Sequence, residues 1–164
     1  MRAFQEIYIE NYTRMFGVAL KMVGDDDIAS DIVQEVFIYL FDKLNNGKVI
    51  LHPNTWLYRA TINKSIDCLR KQKRFQTIES LSGSKISTTD EDVIDKIETK
   101  AAINRALSKL KPKEKSLVVL YSEGLTYKDI ASATGIRFSS VGKMLSRTLD
   151  KLKNELKNEN YEMY

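Results

Sequence analysis

Apolar residues recur along this chain at three- and four-residue spacing, the period of an α-helix. No convincing stretch alternates apolar and polar positions as a half-buried strand does. A first helix is expected over about 3–23, where Phe4, Ile7, Tyr8, Tyr12, Met15, Phe16, Ala19, Leu20 and Val23 share a stripe. Gly24 stops it, and Asp25, Asp26 and Asp27 supply acceptors and negative charge for the next N-terminus. The second helix, about 27–45, has the cleanest stripe: Ile28, Ile32, Val33, Val36, Phe37, Leu40, Phe41 and Leu44. Asn46-Gly47 closes it. A short loop with apolar content leads to a third helix, about 55–73, whose second half turns basic with Arg70, Lys71, Lys73 and Arg74.

Residues 75–91 lose all periodicity and are rich in Ser, Thr and Gly, the composition of a flexible linker. Four further helices are expected: about 92–110, a fifth opened by Pro112 and ending near Gly124, a sixth over about 127–133, and a seventh from about Ser139 towards Lys157. Thr126 with Asp129 three residues on resembles a capping box for the sixth. The expected fold is therefore all-α: two small helical domains, 1–74 and 92–164, joined by the linker 75–91. Each would bury only ~60% of its unfolded surface, which makes each marginal alone.

Composition removes several alternatives. One Cys excludes a disulfide framework, and one His with one Cys cannot build a Cys/His zinc site. No apolar run approaches the ~20 residues of a membrane span, and the start MRAFQEIYIENY lacks a signal-peptide core, so a cytoplasmic protein without membrane insertion is expected. The net charge of +4 is uninformative until it is divided. Residues 1–50 carry 5 Lys/Arg against 8 Asp/Glu, and residues 51–75 carry 6 against 1. Residues 76–100 carry 3 against 6, and residues 101–164 carry 12 against 7. Two basic blocks alternate with two acidic ones, as binding to a phosphate backbone requires.

The stretch LTYKDIASATGIRFSSVGKMLSRTLDKLK has the logic of a helix-turn-helix. Ile130 and Ala131 face inward, Gly135 permits the turn, and Ile136 and Val141 fill the angle between the helices. Outward positions on the last helix are Ser139, Ser140, Lys143, Met144 and Arg147, with Lys143 and Arg147 offering donors to bases or phosphates. The third helix interleaves aromatic and basic residues, a pattern suited to single-stranded nucleic acid. Trp56 nonetheless shares its spacing with Ala60, Ile66 and Leu69 and reads as core rather than a stacking platform. Cys68 reads as a small buried hydrophobe and His52 as a loop residue.

In the order DIASDIVQEVFIYLF, TWLYRATINKSIDCLRKQKR, linker, LKPKEKSLVVLYSEGLTYKDIASATGI, nearly the whole chain resembles the small two-domain sigma factors of the extracytoplasmic-function type. The resemblance implies a promoter-specificity subunit that binds RNA polymerase core through the clamp helices of the largest subunit and through the flap. It places Asp31, Gln34, Glu35 and Ile38 of the second helix on the polymerase. Capture of an unstacked base during strand opening falls to the loop 46–54 and the third helix, with Asn46, Lys48, His52, Asn63, Lys64, Arg70, Lys71 and Arg74 as candidates. Reading of the upstream promoter element falls to Ser139, Ser140, Lys143, Met144 and Arg147. Promoter DNA and an anti-sigma protein are the implied partners, and no cofactor or metal is implied. Arg137, Gly142 and Met144 depart from the pattern of many members, and Gly142 within a helix invites an explanation by close approach. The competing reading is a stand-alone helix-turn-helix regulator. Catalysis lacks a phosphate-binding Gly loop, HExxH or G-x-S-x-G, and the aspartates 25–27 lack calcium-loop spacing.

Overall fold

Seven helices follow one another in the computed structural model, which describes residues 3–76 and 91–158, with residues 76 and 91–97 described as backbone only. They are α1 (Phe4–Val23), α2 (Asp26–Asn45), α3 (Pro53–Gln76), α4 (Glu91–Ser108), α5 (Pro112–Ser122), α6 (Tyr127–Thr134) and α7 (Phe138–Asn158). No strand occurs among the described residues. The boundaries carry the expected chemistry. Gly24, at φ 72°, adopts the left-handed conformation that ends α1 and donates its N–H to the Leu20 carbonyl at 2.8 Å. Asp25 then caps α2, accepting from the Ile28 N–H at 3.0 Å.

Pro112 stands in the first turn of α5, where the Glu114 carboxylate accepts the Lys111 N–H at 3.1 Å. Thr126 caps α6 by accepting from the Asp129 N–H at 3.2 Å. The expected linker, 75–91, lies largely outside the described residues. Of it, Phe75 and Gln76 continue α3 and Glu91 opens α4. The tail beyond Asn158 likewise lies outside them.

The expected helix stripes form the core. Ile7, Met15, Val18 and Met22 of α1, Val33 and Leu40 of α2, and Leu57 and Ile62 of α3 are almost fully buried. At one end of α1 and α2, Phe4 meets Phe41 edge-on at 5.2 Å between ring centres, and Tyr8 meets Phe37 at 4.9 Å. The same cluster continues into the second half of the chain through Leu117, Leu120, Ile130, Val141 and Leu145. Helix α5 packs on both α1 and α3, and α6 packs on α3. A smaller cluster (Ala106, Leu107, Leu110, Leu152 and Leu156) joins α4 to the end of α7. No described helix is long and apolar enough to cross a membrane.

Candidate nucleic-acid and partner interfaces

The buried stripe of α2 fixes what the opposite side presents. With Ile32, Val33, Val36, Phe37 and Leu40 turned inward, Asp31, Gln34, Glu35 and Ile38 are exposed at the spacing of one helical line. Ile38 is 61% exposed, an apolar contact amid carboxylates. Glu35 is also tied to α3, where the Lys64 ammonium donates to its carboxylate at 3.0 Å in a solvent-facing pair. The structure thus joins one residue expected to hold the polymerase to one expected to meet DNA. Such an exposed pair contributes little stability and is readily exchanged for a partner's charges.

Asn46, Lys48 and His52 lie exposed on the connection between α2 and α3, and Asn63 is exposed on α3. No hydrogen bond or ion pair among the described residues ties these four to one another. Arg70, Lys71 and Arg74 are exposed near the end of α3. Two features beside them escaped the sequence reading. Val49 and Leu51 are exposed, Leu51 at 81%, so the connection has an apolar tip. Trp56 is half-buried rather than wholly in the core: its inner edge packs on the core while Tyr39 stacks on it at 6.0 Å and 14°. Lys43, one turn beyond Tyr39, stands 5.0 Å from the Tyr39 ring centre. The four-residue spacing of Tyr39 and Lys43 was the available signal; the Trp56 partner required the packing of α2 on α3. Cys68 is half-buried, and loss of solvation raises its thiol pKa.

The helix-turn-helix is built as its residues dictate. Gly135 takes φ 76°, and Thr134 braces the turn by donating to the Ile130 carbonyl at 2.7 Å and accepting from the Ile136 N–H at 3.2 Å. Ile130, Ala133, Ile136 and Val141 fill the angle between α6 and α7, with Ala131 half-buried beside them. Ser139, Lys143 and Arg147 then fall four residues apart on the exposed side of α7. Ser140 and Met144 are half-buried, and Met144 packs against the core. A Cβ at Gly142 would lie 3.3 Å from the Tyr127 ring, close enough that this partly exposed ring would have to shift by a few tenths of an ångström.

Between the halves, Lys21 of α1 donates to Glu123 at 3.0 Å and reaches Ser122 at 3.4 Å. Arg14, Tyr58, Glu123 and Asp129 line a cavity of about 330 Å³ at this seam. Burial raises the Tyr58 pKa, while the neighbouring Arg14 works in the opposite direction. Among the described residues, no group of three or more His, Cys, Asp or Glu is placed to hold a metal ion.

Residues 7–75 match the family model for sigma-70 region 2, and residues 100–152 match that for sigma-70 region 4. The chain is 27% identical to the ECF RNA polymerase sigma factor SigE of Mycolicibacterium smegmatis, over 95% of this chain and 62% of that protein. It is 25% identical to the ECF RNA polymerase sigma factor SigW of Bacillus subtilis (94% and 89% covered) and 28% identical to SigV of the same organism (88% and 85%). Its fold resembles the sigma factor RpoE of Bartonella quintana, solved in complex with the anti-sigma factor NepR. The TM-score is 0.68 at 20% identity, covering 94% of this chain and 96% of that one.

Proposed function

This chain belongs to the extracytoplasmic-function group of the sigma-70 family, and from that premise we propose that it binds RNA polymerase core and directs promoter-specific transcription initiation in the cytoplasm, without catalysing a reaction itself. We assign residues 1–74 to polymerase binding and strand opening, 75–91 to a linker, and 92–164 to upstream promoter recognition. The observation that carries this reading is the pairing of two surfaces in one chain. One is the exposed acidic and apolar line Asp31, Gln34, Glu35 and Ile38 on α2; the other is the exposed Ser139, Lys143 and Arg147 line after the Gly135 turn.

On this reading the α2 line meets the clamp helices and the C-terminal half reaches the flap. Lys143 and Arg147 donate to base edges or phosphates, with Ser139 and Ser140 at the entry to the groove. Met144, half-buried, contributes packing more than base contact. Asn46, Lys48, His52, Asn63 and Lys64, together with the Tyr39 and Trp56 stack, receive the opened strand, and Arg70, Lys71 and Arg74 follow its backbone. An anti-sigma protein is a further expected partner. Run-off transcription with sigma-free core polymerase on fragmented genomic DNA tests the proposal. Discrete new start sites that require this protein are expected; the absence of any new start, with no core binding, would overturn it.

A further inference from the structure

Buried ammonium groups normally face a carboxylate, because an uncompensated charge removed from water costs far more than a packed apolar residue gains. Lys115 of α5 comes close to breaking that rule. Its residue is only 6% exposed, its ammonium keeps a narrow contact with solvent, and no hydrogen bond or ion pair to that ammonium occurs among the described residues. Burial alone lowers its pKa. Lys115 lines a cavity of about 370 Å³, a volume suited to a small-molecule site. Both halves of the chain build it: Leu69 and Lys73 of α3 on one side, Lys109, Leu110, Lys111 and α5 on the other. No carboxylate is among the residues lining it.

The nearby acids are already engaged. Glu155 takes Lys109 at 3.1 Å, while Glu114 takes Lys151 at 2.6 Å and the Lys111 N–H. Lys73, Lys111 and Lys115 line the cavity beside the positive end of α5, with Lys111 also acting on the Glu114 carboxylate, while Leu69 and Leu110 supply an apolar wall. We propose that this inter-half cleft binds a small phosphate-bearing molecule, with its phosphate on Lys115 and its less polar body against Leu69 and Leu110. The missing counter-charge is thereby supplied from solution. Since the cleft exists only while α5 is docked on α1 and α3, the ligand binds that arrangement alone and stabilises it by mass action.

Inorganic pyrophosphate is the probe for the full-length protein, followed by calorimetric titration and by thermal unfolding, with sodium chloride of matched ionic strength as the control. Saturable binding and a rise in Tm beyond that of the salt control are expected. Lys115→Met, which removes a desolvated charge without losing volume, should fold at least as stably yet bind roughly tenfold more weakly or worse. Lys73→Met, across the cleft on the other half, should weaken binding to a lesser degree. A response reproduced by sodium chloride, or unchanged affinity in Lys115→Met, would overturn the proposal.

Discussion

The two halves of the chain bury their apolar residues differently. The N-terminal half stacks three long helices on a stripe of large side chains, closed at one end by the rings of Phe4, Tyr8, Phe37 and Phe41. The C-terminal half divides its loyalty. Leu117, Leu120, Ile130, Val141 and Leu145 belong to the core built by α1–α3, whereas Leu152 and Leu156 turn to α4 in a separate, smaller cluster. The short helices α5 and α6 have too little surface to bury alone, and here α1 and α3 supply the rest. The half that carries the helix-turn-helix is thus held in part by the N-terminal half.

The largest effect that sharpens this contrast belongs to Ile130→Ala. Ile130 is fully buried in the shared core, so the change should cost about 2–5 kcal/mol in urea unfolding. Leu156→Ala, at the less buried end of α7, should fall at the low end of that range; equal losses would erase the distinction between the clusters. Next comes Arg147→Ala, expected to weaken upstream-element binding by about 1–3 kcal/mol in a titration with promoter duplex while leaving stability unchanged. Paired Gln34→Ala and Glu35→Ala changes should do the reverse, impairing core-polymerase binding but not DNA binding. Loss of both functions in either variant would indicate misfolding rather than a lost contact.

Asp25→Ala removes the cap of α2 and should cost about 1 kcal/mol. Lys21→Ala breaks the partly exposed pair with Glu123 across the seam and should cost no more than about 1 kcal/mol, an effect that shrinks with added salt. Lys115 supplies a pH signature of the same seam. Its pKa is lowered in the folded protein, so the unfolded chain holds that proton more tightly. Its contribution is therefore destabilising at neutral pH and is relieved as pH rises through the folded-state value, ending near the ordinary lysine value of about 10.4. Urea midpoints should climb more steeply with pH in the wild type than in Lys115→Met; parallel curves would refute the assignment.

Much of this architecture is legible in the sequence because it rests on local rules. The apolar stripes, Asp25, Gly24, Pro112, Thr126 and Gly135 act within a few residues of themselves, and the exposed α2 and α7 lines follow once the stripes are known. Contacts between distant segments are not encoded in spacing. The Glu35–Lys64 pair, the Tyr39 and Trp56 stack, the desolvation of Lys115 and the docking of α5 on α1 all depend on helices that approach one another only in the folded chain. Gly142 illustrates the boundary: its oddity is visible in the sequence, but the Tyr127 ring that approaches it lies one helix away.

The shared core is tested most directly by the chain's single tryptophan. Trp56 sits in α3, in the N-terminal half, so its fluorescence during urea unfolding reports on that half. Leu117→Ala opens a cavity in the other half, where Leu117 is fully buried in the common cluster. A single transition, with the Trp56 midpoint shifted to lower urea by the Leu117 change, is the predicted result. An unshifted Trp56 transition, with helicity lost separately, would contradict the account by showing two halves that fold independently.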